Sequence, residues 1–141
     1  MCLLIDNGRV LVADGKSIKG AAGRRPIIPG TFYRVLGGSI DFGERAVDAV
    51  RREIREEVSS EIQDLELLEV VENMFEYAGE PGHDIVFLFK GTLANTELSK
   101  KDSIHVNETD YEFDAIWVLF SFLLKGDVPL YPALDWSRFL A

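Results

Sequence analysis

The sequence predicts one α/β domain, and two patterns carry the expectation. Short runs rich in valine, isoleucine, leucine and aromatic residues, bounded by glycine, proline and asparagine, recur along the chain as strands do. Between them, Val47, Val50, Ile54 and Val58 fall in one narrow stripe at helical spacing. With 141 residues, 47% hydrophobic and 28% charged, the chain fits one domain over 1–141 with a proper core and leaves no room for a second.

Composition narrows the function classes. A net charge of −9 argues against nonspecific nucleic-acid binding, which needs a basic footprint. An acidic protein that handles phosphates needs local cations or metals. No apolar run approaches the roughly 20 residues of a membrane helix. The apolar run after Met1 lacks a basic flank and a cleavage site, so a soluble cytoplasmic protein is expected. Cys2 is the one cysteine and reads as a small buried hydrophobe in a reducing compartment.

In chain order, residues 2–5 and 9–13 are apolar runs joined through Asp6-Asn7-Gly8. Asn-Gly favours a type I′ turn, hence a hairpin. Residues 15–30 form a long irregular segment rich in glycine and proline. Lys16, Lys19, Arg24, Arg25 and Arg34 fall between Asp14 and Asp41 with no acid among them, which makes a cationic patch. Its functional reading is an anion-binding rim in which Arg24, Arg25 and Arg34 hold substrate phosphates. The plain alternative is a solvated loop. Residues 32–36 read as a strand running into Gly37-Gly38.

The helix after this glycine pair segregates its charges. Glu53, Glu56 and Glu57 lie on one flank of the apolar stripe, with Arg51 and Arg55 on the other. Glu53 and Glu57 are a like-charge i, i+4 pair, destabilising by a few tenths of a kcal/mol on a bare helix. A hard divalent cation offsets such a cost, since magnesium takes oxygen ligands from a few carboxylates plus substrate phosphates. Against this, Asp48, Arg52 and Glu56 form a ladder of alternating sign, as a solvated helix often does.

Residues 65–77 and 84–92 read as two antiparallel strands around a turn at 79–82, the second well buried. His83 starts that second strand, where a histidine either packs at the edge or contacts substrate. Residues 95–112 read as a long polar connection ending in Glu108, Asp110 and Glu112, and residues 113–122 as a strand. Proline and apolar spacing over residues 128–141 suggest a docked terminal helix. Phe32, Tyr33, Phe42, Phe75, Tyr77 and Tyr111 are aromatics that either stack on a nucleobase or belong to the core.

Residues 38–60, GSIDFGERAVDAVRREIREEVSS, resemble the Nudix box: Gly, five residues, Glu, seven residues, then Arg-Glu-U-x-Glu-Glu-x-Gly-U, with U aliphatic. Gly38, Glu44, Arg52, Glu53, Ile54, Glu56 and Glu57 fall in register. Six exact identities at ~7% usage each amount to a coincidence on the order of one in ten million per window, so chance does not explain the match. The departures are Ser59-Ser60, where the box has Gly-U, and Leu36, where proline is usual.

The resemblance implies a mixed β-sheet sandwiched between α-helices. It also implies magnesium, with manganese as a substitute, and hydrolysis of a pyrophosphate bond in a nucleotide-type small molecule, a nucleoside diphosphate linked to another moiety. Glu53, Glu57 and Glu56 are the implied metal ligands, with the carbonyl of Gly37 as an extra one. Arg52 orients the glutamates. The general base is left open among Glu56, Glu57 and a loop acid, and Glu44 is either a helix-terminal acid or a second-rank neighbour of the metals. Nudix domains usually have a further strand before the hairpin, so a bare strand edge is expected and a homodimer is one way to cover it. A reading from another class, a Nudix-fold sensor that binds nucleotide without turnover, rests on Ser59-Ser60 and the short N-terminus. The retained box carboxylates oppose it.

Overall fold

Backbone pairing joins eight strands into one mixed sheet in the computed structural model, which describes residues 1–20, 30–77, 79–108 and 111–140. Strands β1 (Cys2–Asp6) and β2 (Arg9–Asp14) form the expected hairpin. Asn7 and Gly8, at φ 47° and 73°, adopt the left-handed conformations that a type I′ turn requires. β2 lies at the centre: it pairs with β1 near its start, with β3 (Tyr33–Val35) near its end, and with β7 (Glu112–Leu119) along most of its length. Beyond β7 lies β6 (Ser103–Asn107), and β8 (Leu130–Tyr131) runs parallel to β3. On the other flank β1 runs parallel to β5 (Glu80–Leu93), which pairs with β4 (Ile62–Tyr77) in a long antiparallel ribbon. Because β5 and β2 flank β1, the N-terminal strand is interior. This corrects the expectation of a bare edge there, and the reason for a homodimer that rested on that edge goes with it.

Alternation along the strands gives the sheet an apolar core on each face. On one face the helix α1 (Ala46–Val58) packs Val50, Ile54 and Val58 against Leu11, Ala13, Phe89 and Phe113. On the other, Leu3, Val10, Val12 and Leu88 meet Leu123 of α2 (Phe120–Lys125), with Trp136 and Leu140 of the tail. The mixed sheet is thus layered between helices, as predicted. No described helix is long and apolar enough to cross a membrane.

Several elements differ from the sequence reading. Val47 lies on the buried stripe of α1, between Ile54 and Val58 on the wheel, yet as the second residue of the helix it stands at the open end and is 39% exposed. The connection over 95–112 contains β6, whose Ile104 and Val106 point into the core while Ser103, His105 and Asn107 face out. Helix α2 begins at Phe120, inside the span expected to be strand. β5 starts at Glu80, so Pro81 and Gly82 belong to the ribbon, and its outer half is mostly exposed where a well-buried strand was expected. The expected terminal helix is a single 3-10 turn at Trp136–Arg138. Pairing of β8 with β3 commits the start of that segment to an extended path. The indole N–H of Trp136 is shared between the carbonyls of Leu130 and Pro132, and what remains is too short to propagate a helix.

The departure from the box at residue 59 has a local solution. Ser59 takes the left-handed conformation at the end of α1, φ 56° and ψ 42°, and its N–H closes on the carbonyl of Arg55. Ser60 is buried, accepts from the N–H of Asn95 and donates to the carbonyl of Glu61. The helix therefore exits as a glycine-capped one would, with the strain of a Cβ in αL. Ser59→Gly is expected to raise stability by roughly 0.5–1 kcal/mol, read as a higher urea midpoint at unchanged m-value.

Candidate active site

The glycine pair after β3 lets the chain pass close against α1. A Cβ on Gly38 would lie 2.5 Å from the carboxyl carbon of Glu53. Gly37, at φ 133°, occupies backbone space that favours glycine. Opposite this loop, the segment between β6 and β7 brings in Glu108. One carboxylate oxygen from each of Glu53, Glu57 and Glu108 lies within 4.8 Å of the others.

Glu57 is the strained member of the three. It is 6% exposed and its Oε1 has no hydrogen-bond partner among the described residues. Burial pushes its carboxyl up to about 8; Arg34 opposes the shift, Glu108 and Glu53 add to it, and a hydrogen bond from the Gly37 backbone opposes it. Burial also raises Glu108, followed by the charge of Glu53. Converging, half-desolvated carboxylates with an orphaned acceptor are costly when nothing neutralises them. The donor set is all oxygen, so the residues present fit a hard divalent cation.

Arg52 ties the loop to the helix. Its guanidinium donates to Glu44 through Nε at 2.9 Å and Nη2 at 3.0 Å, to Glu53 at 3.0 Å, and to the carbonyl of Ser39 at 3.1 Å. A longer contact reaches Glu56 at 3.3 Å. The hydrogen bonds from Arg52 hold the carboxyl of Glu44 down at about 2, and a bond from the N–H of Asp41 adds to the effect. Glu44 therefore does not cap the helix: α1 starts at Ala46 with Arg45 at the cap, and Glu44 serves Arg52.

A cleft of about 520 Å³ opens beside the carboxylates. The loop at Gly37–Ile40, the first turns of α1, the strand residues His83 to Phe87, Arg34 and Tyr111 line it. Arg34 lies with its guanidinium 5.8 Å from the ring centroids of both Tyr111 and Phe113 and donates to the Tyr111 hydroxyl at 3.3 Å. A cation is thus held beside the carboxylates with its Nε unpaired among the described residues.

A family model described as the NUDIX domain matches residues 1–136. The chain belongs to the Nudix family. Solved structures resemble it at low sequence identity and support the fold alone. The mutator MutT protein of Bacillus halodurans is 19% identical, with a TM-score of 0.59 over 96% of this chain and 75% of that one. The MutT Nudix hydrolase of Burkholderia pseudomallei is 24% identical, with a TM-score of 0.52 over 85% and 80%. The E. coli ORF135 protein is 20% identical, with a TM-score of 0.50 over 94% and 78%.

Of the residues singled out by the Nudix box, the structure brings Glu53 and Glu57 together and sets Glu56 apart, half-exposed and turned to Arg52. Gly37 lines the cleft. Of the three loop acids left open by the sequence, Glu108 joins the carboxylates, Glu112 pairs with His105, and Asp110 lies outside the described residues. Arg34 lines the cleft, whereas Arg24 and Arg25 lie outside the described residues. Of the aromatics that the sequence offered for stacking, Tyr111 lines the cleft; Phe42 is fully exposed, and Phe32 and Tyr33 pack on Tyr131 and Phe122. Sequence reasoning missed the wall of Ile85, Phe87 and Phe89, whose one signal was the dense apolar run they share.

The Glu44–Arg52 pair carries a pH signature with a defined sign. Its folded carboxyl lies near 2, below the ordinary 4.5, so its stabilisation is present above 4.5 and is lost as pH falls through about 2. Glu44→Gln is expected to lower the melting temperature at pH 6–7. That difference should narrow steadily below pH 4.5, as a melting series on both proteins would read.

Proposed function

We propose that this chain is a magnesium-dependent pyrophosphohydrolase acting on a nucleoside diphosphate linked to another moiety. The observation that carries the reading is the convergence of Glu53, Glu57 and Glu108 around the unpartnered Oε1 of Glu57, at the edge of a cleft that also presents Arg34. When bound there, magnesium neutralises charge on the pyrophosphate and eases deprotonation of the attacking water.

The chain's own residues supply the rest. Glu53, Glu57 and Glu108 would hold the metal, and the Gly37 carbonyl would be a further donor. Arg34, held beside the rings of Tyr111 and Phe113, presents its fork to a phosphate oxygen. Water attacks one phosphorus and the bond from that phosphorus to the bridging oxygen breaks; the water's oxygen stays on the attacked phosphorus and the bridging oxygen leaves with the other phosphate. The water's proton passes to a carboxylate, Glu57 within the cluster or Glu56 at its rim. Arg52 touches none of the reacting atoms and acts as a positioning residue, fixing Glu53 to the loop. The sensor alternative loses its main support, because Ser59 supplies the helix exit that a glycine would.

The test is phosphate release from a panel of nucleoside diphosphate derivatives with magnesium or manganese, using a phosphatase-coupled assay. One substrate class is expected to turn over, and Glu53→Gln with Glu57→Gln should lose at least about a hundredfold in rate while keeping its melting transition. Arg34→Ala should raise KM. Turnover that survives the double substitution refutes the reading.

A further inference from the structure

The cleft is chemically asymmetric along its length, and the asymmetry sorts the parts of a substrate. Near the carboxylates stands Arg34, the one arginine or lysine among the described residues lining it. Away from that end, β5 presents His83, Ile85 and Phe87 on one face, since alternate strand residues share a face. By register, Val70, Glu72 and Met74 of β4 lie on that same face. Ile85 is 66% exposed and Met74 73%, with Val70 beside them. Apolar side chains so exposed, continuous with a catalytic cleft, form a platform for a flat group.

The outer end of the platform is polar in one sense only. His83 Nε2 lies 2.9 Å from Glu72 Oε2. A carboxylate only accepts, so Nε2 carries the hydrogen, and in that imidazole tautomer Nδ1 is the lone-pair acceptor. Glu72 and His83 together therefore offer acceptors to whatever lies on the platform. A phosphate is repelled there, and a carbonyl edge meets lone pair against lone pair. An N–H₂ edge is complementary.

We propose that the outer half of the cleft is a subsite for a planar heterocycle bearing an exocyclic amino group, laid on Ile85 and Phe87 with its amino edge toward His83. The inference rests on the hydrolase reading for which end holds the phosphates. Substrate preference then follows: amino-bearing bases over their keto counterparts, with no second phosphate at the far end. His83 contacts the base, and Glu72 is a positioning residue that fixes the imidazole tautomer.

The test separates this from the hydrolase reading by measuring binding alone. The probes are the α,β-methylene diphosphates of cytidine and uridine, and of adenosine and inosine, titrated calorimetrically against the full chain with magnesium. The amino member of at least one pair is expected to bind about fivefold tighter or more, as one net hydrogen bond provides. His83→Ala should bring that ratio within about twofold, Glu72→Ala should do the same, and Glu72→Gln should restore it, because its amide oxygen still accepts from Nε2. Equal binding within both pairs, a ratio that survives His83→Ala, or no binding of any analogue overturns the proposal. Failure of the hydrolase reading appears separately, as absent phosphate release alongside a preserved binding ratio.

Discussion

The guanidinium of Arg52 is the interaction on which the site's geometry depends. The loop over residues 38–44 has no regular structure of its own, and its Phe42 is fully exposed, so nothing apolar anchors its tip. Arg52 holds it from the helix side through Ser39 and Glu44, and with the same group it fixes Glu53. A planar five-donor fork can satisfy that many acceptors at once, which a lysine ammonium cannot. Removing Glu44 or Ser39 from reach would free Glu53 to turn away from Glu57. The acid–base chemistry proposed for the cleft thus leans on a residue that touches none of it.

The sheet contributes in a different way. β2 is paired along both sides and holds β1, β3 and β7 in fixed register. β3 then delivers Arg34 and the glycine pair, β7 positions the acidic segment before it, and β1 seats β5. The inner half of β5 belongs to the core through Leu88 and Phe89, while its outer half forms the cleft wall. One strand therefore anchors the fold at one end and lines the cleft at the other.

How much of this was legible in the sequence varies by residue. The hairpin, α1 and the pairing of Glu53 with Glu57 follow from local rules, because turn chemistry and helical period act within a few residues. The tertiary partners did not follow. Glu108 meets Glu53 across 55 residues of chain, and the antiparallel pairing of β6 with β7, which puts Glu112 opposite Asn107, is not readable from local sequence. β6 itself was readable, since Ser-Ile-His-Val-Asn alternates at period two, but its polar members masked it. Val47 lies on the stripe that the wheel predicts, but a wheel carries no axial position, and in the first turn of α1 the side chain is 39% exposed.

The long ribbon leaves β4 as an edge strand, paired only with β5 among the described residues. Along it stand Asp64, Glu66, Glu69, Glu72 and Glu76 without a single basic residue, and the register slips between Gln63 and Glu66 and again between Leu67 and Glu69. Charge and irregularity are the means by which open edges avoid recruiting other chains. The guard is electrostatic, so salt that screens exposed charges weakens it. The exposed Leu67, Val70 and Met74 are then the surface on which copies would meet.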